Sequence, residues 1–473
     1  MNQIILRTIS DFIQTGLLVY CSVLMASYVI LGIISIVSLR KYLKKSKNIN
    51  YFDLLPSFLS PSISLIAPAY NEGLTIVENI RSLMSLHYSD FEVVIVNDGS
   101  KDDTLEKAVT AYKMIPIDLT INEEIVTKKI RNIYKSTLPA FKNLILVDKE
   151  NGGKADALNA GINIAASRYV ACIDVDCILE QDSLLKLIKP FLDSKKRVIA
   201  TGGVIRIVNS CTIKNGIITK VRVPESWVAR MQVLEYLRAF LLGRMAWGAI
   251  DGLLLISGAF GMFDKEIVKK AGGYKTTTVG EDMELVVRMS RYMVENNLPY
   301  RVKFIPDPLC WTEAPENLKI LGRQRNRWTR GTVETLWYHK KMFFNPKYGV
   351  IGVLSYPYWF FFEFLAPIVE FLGLVWMVIA SILGLINWPH FILLSFFVYT
   401  FVVMINMLAI LAEEITYYQY KDFRDIIKLV LSSLAEPFFY HPFLVYSAMM
   451  GYIDLIKGKK TWGEMTRKGI KTN

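Results

Sequence analysis

Cysteine and histidine are scarce in this chain. Its 473 residues include 5 Cys and 4 His. The cysteines (Cys21, Cys172, Cys177, Cys211, Cys310) are odd in number, scattered and never spaced C-x-x-C. That pattern argues against a disulfide framework and against a Cys/His zinc site, leaving reduced, half-buried thiols as the expected state. The formal net charge is +12, yet no helical or aromatic nucleic-acid module accompanies it, so nucleic acid is not an expected partner. No small-residue cleavage site follows the first apolar run, which therefore reads as an anchor rather than a signal peptide. The stretch after Lys457 is too short for a regulatory domain, so any control is expected from accessory export or regulatory subunits.

Apolar residues, by contrast, are abundant. They make up 52% of the chain, and mean hydropathy is +0.30. A soluble protein of this size needs less to fill its cores, while 21% charged residues is too many for a purely membrane-embedded one. A soluble domain with a few membrane spans reconciles the two. The expected spans are 16–39, 364–386 and 389–411, each near the ~20 residues that cross a bilayer core. An aromatic-rich interfacial segment is expected over 341–363. A broken or re-entrant membrane segment is expected over 426–453, where Glu436, Pro437, His441 and Pro442 interrupt the apolar run. Basic residues cluster in the 40–60 linker (Arg40, Lys41, Lys44, Lys45, Lys47) and in the 454–473 tail. Positive-inside topology and anionic lipid headgroups account for them, making the chain a multi-pass cell-membrane protein with its 61–340 domain in the cytosol.

Within 61–340 short apolar runs alternate with amphipathic stretches. Residues 63–67, 92–96, 144–147 and 169–173 read as buried strands. Helices are expected over 74–86, with Val77, Ile80 and Met84 on one face, from a Ser100/Asp103 capping box onward, and over 155–166. Such alternation predicts an α/β, doubly wound parallel sheet with its site at the strands' carboxyl ends. The apolar run at 247–263 reads as a buried active-site wall. A crossing there would put carboxylates of one site on opposite sides of the membrane, and Asp251 fits lipid poorly.

Polar residues gather where the strands end: APAYNEG (67–73), VNDGSKDDT (96–104), VDKENGGKADALN (147–159) and CIDVDCIL (172–179). Each alone is ordinary turn chemistry. All four emptying onto one edge of one sheet is not. Asp174 and Asp176 alternate, so both carboxylates share a face and can reach one hard cation, Mg²⁺ or Mn²⁺, that would neutralise a diphosphate. Together with GED (280–282) and QRNRW (324–328), these motifs resemble family 2 glycosyltransferases. More narrowly, they are similar to the processive membrane synthases of cellulose, hyaluronan, chitin and poly-N-acetylglucosamine. The resemblance runs in order from about Pro61 to Trp328, and QxxRW is its most specific element.

That resemblance implies a GT-A fold, the nucleotide-diphospho-sugar transferase architecture, and a UDP-sugar donor with inversion at the anomeric carbon. It implies donor-binding roles for Glu72, Asp98, Lys154, Asp174, Gln324 and Arg327, and metal binding by Asp176. Asp282 would be the general base, at a helix N-terminus that favours its ionised form. Trp328 would stack on the acceptor, with Gly258 and Phe260 on the acceptor wall. Polymer synthesis coupled to export is the leading expectation. Single addition to a lipid-linked acceptor and a catalytically silent scaffold or transporter are the alternatives. The motifs do not separate UDP-N-acetylglucosamine from UDP-glucose.

Overall fold

The computed structural model describes residues 2–46, 60–214 and 216–459. Lys47, most of the 40–60 linker and the tail beyond 459 lie outside them. Ten strands form one mixed sheet. They are β1 (Ile63–Ala69), β2 (Phe91–Asn97), β3 (Met114–Pro116), β4 (Ile130–Ser136), β5 (Leu144–Lys149), β6 (Tyr169–Ile173), β7 (Ile178–Leu179), β8 (Arg197–Ile207), β9 (Phe260–Asp264) and β10 (Tyr300–Thr312). Their spatial order is β3-β4-β5-β2-β1-β6-β9-β8-β10-β7.

The centre is parallel, with β5, β2, β1 and β6 side by side. Their buried Val, Ile and Leu leave no solvent face, the usual condition of strands covered on both sides. The expectation of a purely parallel sheet needs correcting at its flanks. β4 pairs antiparallel with β5, and β9 lies antiparallel between β6 and β8. β9 takes up the end of the 247–263 run, which is part of the domain interior.

Helices α2 (Ile76–Met84), α3 (Thr104–Ala111), α4 (Lys154–Ile164) and α5 (Ser183–Asp193) fill the crossovers. The Ser100/Asp103 capping box does not form. α3 starts at Thr104 without a side-chain cap, and Ser100 Oγ instead accepts from the Asn71 N–H at 3.0 Å. Ser100 is therefore spent tying the loop after β1 to the loop after β2. α6 (Trp227–Leu237) continues through a π-helical stretch, Arg238–Arg244, into a last turn at Met245–Ala249. α7 (Glu281–Glu295) and α8 (Leu318–Tyr338) complete the domain.

Among the described residues, three helical runs are long and apolar enough to cross a membrane: Ile5–Ser46, Ile351–Ile382 and Phe391–Thr416. The first is most of α1 (Asn2–Ser46), 45 residues long. At 1.5 Å per residue that is roughly 68 Å, against a hydrocarbon core of about 30 Å. Its C-terminal part docks on the domain through Lys45–Asp193 (2.9 Å) and a Tyr42–Asp307 hydrogen bond. The 341–363 segment expected at the interface is helical from Ile351 and continuous with α9 (Ala366–Ile382). α10 (Trp388–Thr416) follows. The 426–453 segment, expected to be broken, lies inside one continuous helix, α11 (Phe423–Ile456), which carries Pro437 and Pro442 within it.

Charged groups tie these helices to the domain. Arg238 donates to Asn406 (2.6 Å) on α10 and to Glu436 (3.0 and 3.2 Å) on α11. Arg206 of β8 pairs with Glu413 of α10, both almost fully buried. α7 and α8 are joined at the other end by Glu284, 1% exposed, which accepts from Arg288 (2.8 Å, twice) and approaches His339 Nε2 at 3.3 Å. Burial alone would raise its carboxyl, but the hydrogen bonds from His339 and Arg288 dominate and lower it from 4.5 to about 2. A depressed carboxyl stabilises the fold above its unfolded value and loses that contribution as pH falls through the folded one. Thermal melts in micelles should therefore show stability lost progressively as pH falls from about 4.5 to about 2, steepest between those values and levelling off below them. Glu284→Gln should flatten that acid limb and cost about 3–5 kcal/mol at neutral pH, the usual penalty for removing one partner of a buried pair. An unchanged acid limb in the variant would show that Glu284 is not its source.

Candidate active site

The register of the parallel strands sets the site. Ala69 pairs with Asn97 and Asn97 with Asp148, so β1, β2 and β5 end level with one another, with β6 ending beside β1. The loops that follow carry Glu72, Asp98, Lys149–Lys154 and Asp174–Asp176 along one edge.

Asp98, 3% exposed, lies at the heart of the second loop. It accepts from Lys149 Nζ (2.7 Å), Gly152 N–H (3.0 Å), Gly153 N–H (2.8 Å) and Asn151 Nδ2 (3.2 Å). About four lone-pair sites are available on a carboxylate, so its capacity is filled. Asp98 thus pins the loop after β5, and a direct contact with a uridine requires one of these donors to swing away. Glu72 stands over the start of α3, its N–H on Thr104 Oγ1 (2.8 Å) and its carboxylate accepting from Thr75 Oγ1 (3.0 Å).

Lys154, the first residue of α4, links three elements. Its ammonium pairs with Asp174 at the end of β6 and donates to the Gly258 carbonyl at 3.1 Å. Burial lowers its pKa, but Asp174 and Glu281 outweigh that and the net shift is upward, so the ammonium is retained. Gly258 in turn donates its N–H to Asp282 Oδ2 at 2.9 Å, and Asp282 Oδ1 accepts from Met283 N–H at 2.8 Å. Two acceptor sites remain on Asp282 to receive a proton. Asp174, Lys154, Gly258 and Asp282, separated by over a hundred residues, are therefore one bonded chain.

A glycine contact brings the remaining motif in. A Cβ on Gly280 would lie 2.6 Å from the Gly331 Cα, so the N-terminus of α7 presses directly on the middle of α8. Glu334 of α8 fixes the approach by accepting from Thr278 Oγ1 (2.6 Å) and Val279 N–H (3.0 Å). Gln324, Arg327 and Trp328 lie one to two turns earlier on α8. Gln324 Oε1 is buried without a hydrogen-bond partner, and Arg327 is within electrostatic reach of Lys154 and Glu281. Trp328 is 39% exposed, its ring beneath the Arg325 guanidinium at 4.1 Å.

Phe260 is a correction. It has no exposed surface, because it is the first residue of β9 and its ring faces the core. It cannot form an acceptor wall, whereas Gly258, two residues earlier, touches both Lys154 and Asp282.

Asp174, Asp176 and Cys177 form the acidic cluster, their ligand atoms within 4.8 Å of one another. Two half-buried carboxylates suit an oxygen-seeking divalent cation. The Cys177 thiol, which hydrogen bonding with Cys310 and burial push well above its ordinary range, is a soft donor that suits such a hard cation less well. With Asp174 engaged by Lys154, Asp176 is the better placed ligand, and a substrate diphosphate would complete the shell.

Two residues outside the expected set stand beside the site. Glu281, 4% exposed, is pushed up by burial and by Asp282, against Lys154 and Arg327. The glutamate of GED could have been marked from its place beside Asp282. Arg244, in the π-helical stretch, stacks on Phe240 at 4.1 Å, its Nη1 buried without a partner. No sequence pattern signals it.

The comparisons fit this geometry. A family model described as "Glycosyl transferase family 2" matches residues 64–248, and one described as "Glycosyl transferase family group 2" matches 169–411, just over half of the chain. The chain is similar to poly-beta-1,6-N-acetyl-D-glucosamine synthases. It is 29% identical to one from Staphylococcus epidermidis over 58% of this chain and 55% of that protein. It is 30% identical to one from Staphylococcus aureus over 67% and 65%. The matched segments thus span between about half and two thirds of those relatives' length. A mannosyltransferase from Pyrobaculum calidifontis, solved with GDP-Man and Mn²⁺, aligns over 92% of this chain and 99% of its own at 16% identity and a TM-score of 0.49. With a family model covering just over half of the chain, including half of the sheet's strands, the QRNRW helix and the apolar helices that follow it, the chain belongs to the family 2 glycosyltransferases.

Proposed function

We propose that this chain is an inverting, membrane-embedded glycosyltransferase that moves a sugar from a UDP-sugar to a growing polysaccharide on the cytosolic face of the cell membrane. The observation that carries this reading is the Asp174–Lys154–Gly258–Asp282 chain, which couples the donor side of the site to a carboxylate with room for a proton. Donor chemistry is assigned to the strand ends together with α8. Lys154 and Arg327 supply positive charge for a diphosphate, Gln324 offers a buried acceptor, and Glu72 with the loop around Asp98 frames the nucleoside. A divalent cation, Mg²⁺ or Mn²⁺, would sit on Asp176 and neutralise the leaving diphosphate.

In the transfer, Asp282 takes the proton of the acceptor hydroxyl as that oxygen bonds to the anomeric carbon. The bond from that carbon to the diphosphate breaks, and UDP leaves with the electron pair. Trp328 and Gly258 would hold the acceptor sugar. N-acetylglucosamine is the favoured sugar because the similar synthases are named for its polymer. Export coupling is supported by the buried ion pairs that fix the domain to α10 and α11, and anionic lipids by the basic residues flanking α1.

Metal dependence follows from the acidic cluster. A chelator should abolish UDP release from the full chain in lipid nanodiscs, and Mg²⁺ or Mn²⁺ should restore it. Asp176→Ala should remain inactive with either ion; near-normal turnover would reduce the pair to a turn.

Asp282→Asn keeps the side chain's shape and removes the base. UDP-sugar binding by calorimetry should stay close to wild type while transfer falls by ~10²–10⁴-fold. An equal loss of donor binding would assign Asp282 a structural role instead.

Orientation is open to direct labelling. Cysteines placed at Lys101 and Lys319, in a background without the native thiols, should both resist an impermeant thiol reagent in intact cells and react once the membrane is opened. Labelling of either site from outside contradicts a cytosolic active site.

A further inference from the structure

Trp328 is held in place by a network that starts at Arg325 within QRNRW and reaches residues outside every motif. The Arg325 guanidinium lies over its ring at 4.1 Å, within range of a cation–π contact. Arg325 is itself fixed by a two-pronged pair with Glu235 of α6, at 2.6 and 2.8 Å. The Tyr440 hydroxyl on α11 donates to the same Glu235 at 2.7 Å and lies 3.3 Å from Arg325 Nη2. Tyr440 has no exposed surface and Arg325 only 6%, while the Glu235 side chain that joins them is 20% exposed, so the network is largely withdrawn from water. A planar guanidinium gripped on one edge leaves its face free to stack, which a lysine could not imitate.

α11 is pressed against α8 along the same stretch. A Cβ on Gly451 would lie 3.0 Å from the Asn326 carbonyl oxygen, so the backbones meet without intervening side chains. Asn326 also donates to Asp454 at 3.0 Å. Arg325, Asn326 and Trp328 are thus held from one side by a helix 100 residues later.

We infer that Glu235 and Tyr440 are positioning residues that set the Trp328 ring through Arg325, making α11 part of the acceptor site. The inference rests on Trp328 being the acceptor platform. Glu235 and Tyr440 touch neither donor nor acceptor. Their effect reaches the sugar only through the angle of the ring.

The test uses the full chain in nanodiscs, with the UDP-sugar that supports turnover and a short oligosaccharide of that sugar as acceptor. Arg325→Gln should raise the acceptor KM about tenfold, the scale of a partly desolvated cation–π contact, with the donor KM within about twofold. Tyr440→Phe, which removes one hydroxyl and keeps the ring, should shift the acceptor KM in the same direction by a smaller factor. In a Trp328→Phe background the Arg325→Gln change should add less than about twofold, because the group it positions has been replaced. An undiminished effect in that background overturns the inference, as does an equal rise in donor and acceptor KM. A second readout needs no turnover. The fluorescence difference between wild type and Trp328→Phe isolates this one indole, and both Arg325→Gln and Tyr440→Phe should change it. An unchanged difference spectrum overturns the inference. If wild type transfers no sugar, the proposed function fails, and the fluorescence result still decides the positioning.

Discussion

A lysine ammonium with no exposed surface sits beneath the site, and the loops that carry the chemistry are arranged around it. Lys149 Nζ meets Asp98 Oδ1 at 2.7 Å, Asp156 Oδ2 at 2.5 Å and the Glu150 carbonyl at 2.6 Å, one acceptor for each of its three protons. A buried charge costs several kcal/mol unless its partners are complete, so this arrangement is close to all or none. Its partners come from the end of β2, the end of β5 and the first turn of α4. Fixing the ammonium therefore fixes where the backbone N–H groups of Gly152 and Gly153 point and where Lys154 begins its helix. The same cation that makes the floor rigid leaves Lys154, five residues on, to face the substrate side.

Much of this was legible in the sequence, for identifiable reasons. The parallel centre announced itself because β1, β2, β5 and β6 are continuous apolar runs ending in clusters of Asp, Asn and Gly. The antiparallel flanks did not. β4 (IRNIYKS) alternates weakly, and β9 hides in an apolar stretch that hydropathy cannot tell from a span. Phe260 was misplaced for a related reason. A motif names neighbouring residues, but β9 is an interior strand, paired on both sides by β6 and β8 and buried at all five positions, so no side chain of it reaches the surface. Ser100 looked like a helix cap because local spacing cannot show that the Asn71 N–H would compete for it. The Glu235–Arg325–Tyr440 network lies beyond any such reading, since its members are separated by 90 and 205 residues.

The boundary between domain and membrane follows a second logic. Arg206 and Glu413 are nearly unexposed, and Arg238 meets a Glu436 that is only 1% exposed. Ion pairs of this kind contribute little net stability over apolar replacements, but removing one partner is severe. Their value is in register. An apolar face can slide along another at small cost, while a guanidinium shared between Asn406 and Glu436 accepts one alignment of α6, α10 and α11.

The meeting of Gly280 and Gly331 has a mechanical side. Two helices separated by side chains can rock independently, since rotamers absorb the movement. Here the α7 terminus and the α8 midpoint touch backbone to backbone, with Glu334 bonded across the joint. The turn that carries Asp282 and the helix that carries QRNRW are thereby coupled at one backbone joint. They are joined like two blades on a single rivet, and neither can drift while the other stays.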